Sequence, residues 1–305
     1  MSTGYNVLIC GSSEITRDHI LAIQNIKNFN KIAIYSKDKE KCYKFSKLFN
    51  LRVVNSLTKD ELKIFNLAVI TSSSSKHLEY VNTISDHIKI IFVEKPIVPS
   101  FEEFKIIKEI KNKKNIFIKE VSLFNNQSVN KLFNLIELNV KKLRSAGDFK
   151  DFKGNVDIYK SPILNHLPHW IDFANLYFNN EFEIENTNFE LFDEKLGFHK
   201  KISLTFKNKE LTFLIKINMS SKNNKQNILN FKSSNIIINL ISLPLNIFFR
   251  CFNSFSPANI KDKKRRLINF YKTAINEVNL NQDNYLIYME KKIKLIDEII
   301  RLSKK

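Results

Sequence analysis

The sequence is short of the residues that most sharply mark function. Its three cysteines, Cys10, Cys42 and Cys251, are far apart and odd in number among 305 residues. That excludes a disulfide framework, gives no metal-ligand spacing, and fits a reducing compartment. Only five glycines occur, and none stand together in a glycine-rich loop. The N-terminus lacks a basic stretch followed by an apolar one, so a cytoplasmic chain is expected. No run is long and apolar enough to span a membrane. The nearest, Ile236 to Phe252, is broken by Asn239, Ser242, Pro244, Asn246 and Arg250. It reads as a buried strand plus a loop, and membrane contact is not expected. Arginine is scarce too, at seven of the 49 basic residues, although the net charge is +18. The lysines are scattered along a chain also rich in Asn, Ile and Phe, which looks like a coding bias. The one dense basic cluster, Lys261 to Arg266, reads as a solvated helix start. Nucleic acid is therefore not an expected partner, though the overall field favours an anionic ligand.

What is present is best read from Ile90-Ile91-Phe92-Val93-Glu94-Lys95-Pro96. Four apolar residues in a row suit a strand buried on both faces, as in a parallel sheet. Pro96 has no N–H and a fixed φ, so the strand ends there. Lys95 then sits at the carboxyl end of a central strand, where open α/β sheets bind ligands. A partly desolvated lysine beside a ligand can give and take protons. A charged turn at a strand end is the plainer alternative.

The segments around it repeat a strand–helix unit. Tyr5 to Cys10 reads as a first strand, and Gly11 follows it. Thr16 to Ile26 has helical spacing of Ile20, Ile23 and Ile26. Strand, glycine turn and helix is the dinucleotide-binding opening, whose helix N-terminus receives a pyrophosphate. Only the first of the three fingerprint glycines is kept; Ser13 and Thr16 hold the other two positions. Lys31 to Tyr35 reads as the second strand and Asp38 to Phe49 as the second helix. The ribose-reading position after that strand is Ser36-Lys37. A hydroxyl with a cation suits a 2′-phosphate better than a free 2′-hydroxyl, which leans toward NADP; a plain turn is the alternative. Strands are expected at Arg52–Asn55, Leu67–Thr71, Lys89–Val93 and Ile116–Lys119. A polar loop, Ser72 to Lys76 with His77, follows the fourth strand. Ser100 with Glu103 forms a capping-box pattern. Such repetition over about 120 residues predicts a doubly wound parallel sheet.

The pattern changes at residue 120. Val129 to Lys142 reads as an amphipathic helix and Pro162 to Tyr177 as another. Strands are expected at 182–192, 200–207, 211–219, 227–232 and 235–241, in a mostly antiparallel sheet. Helices near 259–279 and 282–303 finish the chain. The fold class is α/β, with a parallel-sheet domain over 1–119 and an α+β domain with an open antiparallel sheet over 120–305. Within the second, Asn165 and His169 lie i and i+4 on one helix face. Asp172 could fix the His169 tautomer or cap the turn. The spacing is not that of a zinc protease, and no metal is expected.

These segments together resemble the Gfo/Idh/MocA oxidoreductases, the glucose–fructose oxidoreductase and inositol dehydrogenase family. Val93-Glu94-Lys95-Pro96-Ile97 is the most specific match. Val69 to His77 is similar to the family's Ala-Thr-Pro-Asn-x-x-His, and Leu164 to Asp172 resembles its Leu-x-Asp-x-Gly-x-His-x-x-Asp. The resemblance implies a Rossmann domain binding NAD(P) and a second domain whose open sheet supports a homo-oligomer. It implies oxidation or reduction of a hydroxyl or carbonyl of a sugar or nucleotide sugar, with a role in surface-polysaccharide synthesis as one setting. Lys95 would bind or protonate the reacting oxygen, His169 would be the general acid/base, and Asn165 stands where the family often has Asp. Gly11, Ser12, Ser13, Ser36, Lys37, Thr71, Ser72, Ser73, His77 and Glu94 would surround the cofactor. The lost glycines and Asn165 keep a second reading open: a non-catalytic descendant that binds a nucleotide or a partner protein.

Overall fold

A computed structural model describes residues 4–122, 140–146, 167–168, 171–172, 175, 183–193, 198–207, 212–218, 228–232, 237–239 and 260–302. Two compact units emerge, Met1–Leu123 with Pro257–Lys294, and Phe124–Ser256 with Leu295–Lys305.

The first unit is built on a six-stranded sheet. Its strands are β1 (Tyr5–Cys10), β2 (Phe29–Tyr35), β3 (Arg52–Val53), β4 (Leu67–Ile70), β5 (Ile90–Val93) and β6 (Phe117–Glu120). The order is β3-β2-β1-β4-β5-β6, and every pairing is parallel. β4 and β5 are buried along their whole length, as four-residue apolar runs in a sheet covered on both faces must be. The helices between are α1 (Glu14–Ile23), α2 (Lys39–Phe49), the short α3 (Lys59–Leu62), α4 (His77–Ile84) and α5 (Phe101–Lys114). Local chemistry sets their ends. The Asp38 carboxylate accepts the Lys41 N–H at 3.0 Å and caps α2, and Ser100 Oγ accepts the Glu103 N–H at 3.3 Å and caps α5. α2 and α5 both stop at an asparagine in the left-handed conformation, Asn50 and Asn115. Glu103 completes only half of the expected capping box, since its own Oε2 is buried without a hydrogen-bond partner.

One face of this sheet is closed from far along the chain. Leu267, Phe270, Tyr271 and Ala274 of α6 (Ile260–Asn276) join the core with Ile20 and Ile23 of α1 and Phe92 of β5. Phe92 meets Phe270 and Tyr271 edge-on, with ring centroids 5.4 and 5.5 Å apart. The last helix, α7, runs Asp283–Leu302.

The second unit holds a six-stranded sheet among its described residues. Its strands are β7 (Val140–Ala146), β8 (Glu183–Asp193), β9 (Phe198–Lys207), β10 (Thr212–Asn218), β11 (Ile228–Lys232) and β12 (Ile237–Asn239), in the order β12-β11-β7-β10-β9-β8. β7 and β10 are parallel and the other four pairings antiparallel, matching the mostly antiparallel sheet expected. The expected helix over Val129–Lys142 is corrected at its end, because Val140 to Lys142 belong to β7. That strand is paired on both sides, and central pairing overrides a local helical pattern. Backbone at Leu167, Pro168, Ile171 and Asp172 is helical, with all four buried, as expected within Pro162–Tyr177.

Candidate functional site

The parallel strands end in register. Cys10 pairs with Tyr35 and Ile70, Ile70 with Val93, and Val93 with Glu120. The next residues therefore form one row along the carboxyl edge: Gly11, Ser36, Thr71, Glu94 and Val121. Backbone hydrogen bonds continue across it, from Gly11 N to Tyr35 O, Thr71 N to Cys10 O and Glu94 N to Ile70 O, at 2.8 to 2.9 Å. Most of the cofactor residues expected from sequence lie on this row or directly after it. The order also reverses between β1 and β4, which opens the ligand crevice of such sheets there.

Gly11 is fixed by two constraints. Its φ is +130°, and a Cβ there would lie 2.5 Å from Ser72 N and 2.8 Å from Thr71 C. The two missing glycines are replaced by hydroxyls that bind each other and β4. Ser13 Oγ donates to the Thr71 carbonyl at 2.5 Å, and Thr16 Oγ1 lies 2.8 Å from Thr71 Oγ1. Ser13 thus spends its hydroxyl on the Thr71 carbonyl, with Thr16 Oγ1 3.5 Å away, and caps no backbone N–H of α1. In the first turn of that helix the Thr16 N–H donates to the Ser13 carbonyl at 3.0 Å, so the N–H groups of Glu14 and Ile15 are the ones that the N-cap residue leaves for an anion. The residues at this loop fit a dinucleotide phosphate in those two respects.

At the ribose position the side chains are already engaged. Ser36 Oγ lies 2.8 Å from Ser12 Oγ and accepts the Asp38 N–H at 3.2 Å. Asp38, the first acid after β2, is committed to capping α2; its carboxyl is held below the usual range chiefly by the Lys41 N–H. Lys37 is exposed and paired with Glu79 of α4, which also meets Lys76 at 3.5 Å. Ser72 is half-buried and Ser73 exposed.

Lys95 is half-buried at the end of β5, in a turn whose following residues, Pro96 to Pro99, are buried. The Lys95–Pro96 peptide is cis. Three buried side chains hold this turn. Glu94 Oε2 accepts the Lys95 N–H at 3.2 Å. His77 Nδ1 lies 3.0 Å from the Pro96 carbonyl and 3.2 Å from that of Ile97, with Nε2 3.0 Å from the Ser72 carbonyl. Glu120 Oε2 accepts the Ile97 N–H at 2.6 Å. His77 therefore stands between the Ser72 loop and the Lys95 turn, and the single N–H of its neutral ring donates to a carbonyl on one side or the other. Burial pushes its pKa down, outweighing the carbonyls that favour a proton.

Sequence reasoning missed the partner of Glu94. His19 of α1 is fully buried, with Nε2 2.7 Å from Glu94 Oε1 and Nδ1 bonded to Tyr271 Oη of α6. Burial raises the Glu94 carboxyl, but His19, with Lys95 beside it, more than offsets this and holds it below the usual range. The signal for His19 was its spacing. Thr16, His19, Ile20 and Ile23 stand at i, i+3, i+4 and i+7, the inward face of α1, and all four are buried. Glu120 and Lys292 were also missed. The expected catalytic residues Asn165 and His169 lie outside the described residues. Among the described residues, no cluster of three His, Cys, Asp or Glu side chains could hold a metal ion. No described helix is long and apolar enough to cross a membrane.

With this geometry, residues 5–120 match the family model described as "Oxidoreductase family, NAD-binding Rossmann fold". That segment is similar to the Rossmann domain of the Gfo/Idh/MocA family. No curated protein sequence matches the chain. Solved structures share the fold across its length. A dehydrogenase (MviM) from Clostridium difficile is 15% identical with a TM-score of 0.71, covering 98% of this chain and 99% of that one. GenD2 from gentamicin A biosynthesis, in complex with NAD, is 9% identical with a TM-score of 0.75, covering 99% and 94%. KijD10, a 3-ketoreductase from Actinomadura kijaniata in complex with NADP and TDP-benzene, is 11% identical with a TM-score of 0.72, covering 98% of each. At these identities the likeness is one of fold. The row of strand ends lies within the residues that match the NAD-binding Rossmann fold model.

Proposed function

We propose that the chain is an NAD(P)-dependent oxidoreductase acting on a hydroxyl or carbonyl of a sugar or nucleotide sugar. The observation that carries this reading is Lys95, held at the carboxyl end of β5 on the same sheet edge as Gly11 and Thr71. Residues 1–119 would hold the cofactor and 120–305 the substrate, in a cytoplasmic homo-oligomer built through the second sheet. Solved relatives of the same fold carry NAD or NADP, and one carries a TDP compound. A net charge of +18 suits an anionic nucleotide sugar, and surface-polysaccharide synthesis is a setting that uses such substrates.

When bound, the nicotinamide supplies the hydride chemistry. The chain's own residues supply position and protons. Gly11 lets the loop approach the phosphates, and the first turn of α1 offers the N–H groups of Glu14 and Ile15. Lys37 directly follows Ser36 at the ribose position, which leans toward NADP. Lys95 gives a proton to the reacting oxygen or takes one from it, with His169 as acid/base partner and Asn165 orienting the hydroxyl. Ser13 and Thr16 in the loop favour a second reading, a descendant that binds a nucleotide or a partner protein without turnover.

Thermal unfolding with and without NAD(H) and NADP(H) tests the proposal, since a ligand of the folded state raises the melting temperature. One nucleotide should give a clear shift, and Lys95→Ala should keep that shift. In a screen of nucleotide sugars the same variant should lose turnover by about 100-fold or more. No shift with either nucleotide at millimolar concentration would overturn the oxidoreductase reading. A shift with no turnover on any sugar would favour the non-catalytic one.

A further inference from the structure

Glu120 and Lys292 form a buried ion pair outside the set that sequence reasoning assigned. Glu120 is the last residue of β6 and is 3% exposed, while Lys292 of α7 is 1% exposed. Lys292 Nζ donates to Glu120 Oε1 at 2.5 Å. The other carboxylate oxygen reaches across to the neighbouring strand's turn and accepts the Ile97 N–H at 2.6 Å. The Glu120 backbone is fixed in turn, its N–H donating to Tyr285 Oη at 2.6 Å. Lys292 also lies over the Tyr288 ring, 5.9 Å from its centroid.

An ion pair this deeply buried is a weak source of stability. Desolvating both charges costs about as much as their attraction returns, and apolar residues of similar volume often serve as well. Its placement is more informative. The Ile97 N–H belongs to the turn Lys95-Pro96-Ile97, and Glu120 is the group that holds its far end. Glu94 takes the Lys95 N–H, and His77 faces the Pro96 and Ile97 carbonyls. The turn is thus gripped from α4, from β5 itself and from β6, with α7 behind the last. A reactive side chain keeps its geometry only if the groups around it are themselves fixed.

We infer that Glu120, braced by Lys292, is a positioning residue that sets where the Lys95 amine stands. The inference rests on the reading of Lys95 as the reacting group. The far end of the chain then borders the site, because α7 supplies the ammonium paired with Glu120 Oε1.

The test reads Lys95 directly and needs no substrate. Trace acetylation by acetic anhydride as a function of pH, followed by mass spectrometry, gives the reactivity and titration midpoint of each lysine amine. Exposed Lys47 on α2 serves as internal standard. Three variants separate the causes. Glu120→Gln with Lys292→Met removes both charges but keeps an acceptor for the Ile97 N–H. Glu120→Leu with Lys292→Met removes the acceptor as well. Glu120→Asp keeps the charge opposite Lys292 but shortens the reach to Ile97. The Gln/Met variant should label Lys95 within about twofold of the parent. The Leu/Met variant should change its labelling by about fivefold or shift its midpoint, with Lys47 unchanged. Glu120→Asp should move Lys95 the same way by a smaller factor, and it decides the matter if the Leu/Met variant does not fold. Identical Lys95 profiles in parent and Glu120→Asp, with the Leu/Met variant unchanged or unfolded, would overturn the inference. If Lys95→Ala left turnover intact, the catalytic reading of Lys95 would fail, while the labelling result would still report whether Glu120 positions it.

Discussion

His19 of α1 and Glu94 at the end of β5 meet at 2.7 Å in a buried pair, 75 residues apart in sequence. Glu94 is the residue before Lys95, so the contact links the first helix of the fold to the turn carrying the proposed reacting group. Replacing His19 by Leu leaves the carboxylate buried without its main partner. We expect a loss of about 3 kcal/mol in unfolding free energy, measured by urea denaturation. Adding Glu94→Gln to His19→Leu should recover part of that loss, because the uncompensated charge is then gone.

Two buried groups near the turn make acid destabilising in separate windows. His77 has its pKa lowered by burial from an ordinary value of 6.5, and Glu94 is held below an ordinary 4.5 despite burial. In each case the unfolded chain binds the proton more readily, so stability falls as pH falls. The His77 contribution is complete above pH 6.5 and is lost below it, toward the lower folded value. The Glu94 contribution is complete above pH 4.5 and is lost below that. His77→Gln should flatten the stability curve just below pH 6.5, and Glu94→Gln should flatten it only below pH 4.5. Chemical denaturation at a series of pH values checks both; equal slopes in parent and His77→Gln would refute the first.

Gly11 is the one fingerprint glycine kept, and its neighbours explain why. Gly11→Ala places a Cβ 2.5 Å from Ser72 N at a φ of +130°. Backbone on both sides cannot give way cheaply, so a cost of about 2 kcal/mol is expected. The displaced Ser72 loop should also weaken cofactor binding, seen as a smaller thermal shift with NAD(P)(H) than the parent shows. Full stability together with full nucleotide response would contradict this account.

The first unit was largely legible in the sequence because its signals are local. A four-residue apolar run such as Ile90–Val93, ended by Pro96, declares its own class and limits, and Ser100 marked the start of α5. The strand-end row followed from repeating that reading five times. What stayed hidden depends on distant partners. Nothing near Tyr271 shows that its hydroxyl meets His19, 252 residues earlier. Nothing near Lys292 shows that its amine meets Glu120, 172 residues away. Val140 to Lys142 looked helical because their strand partners, Asn230, Phe231 and Leu214, lie far along the chain. Asp38 read as the start of the second helix, and the structure shows its carboxylate capping α2 from the N-cap position.

Lys37 and Glu79 bear on which nucleotide the site prefers. Both side chains are exposed and paired across β2 and α4. Glu79 is pulled below the usual carboxylate range chiefly by that contact, and Lys37 is raised by it. A 2′-phosphate would compete with Glu79 for the same ammonium. Glu79→Gln should therefore free Lys37 and raise the preference for NADP over NAD by about threefold, the scale of a screened surface ion pair. Lys37→Ser should lower NADP affinity by a similar factor and leave NAD affinity nearly unchanged. Both effects should shrink as salt rises, because the groups are in water. Titration of each variant with both nucleotides at two salt concentrations measures this. If Lys37→Ser weakened NAD and NADP equally, the lysine would be a general part of the site and the lean toward NADP would lose its support.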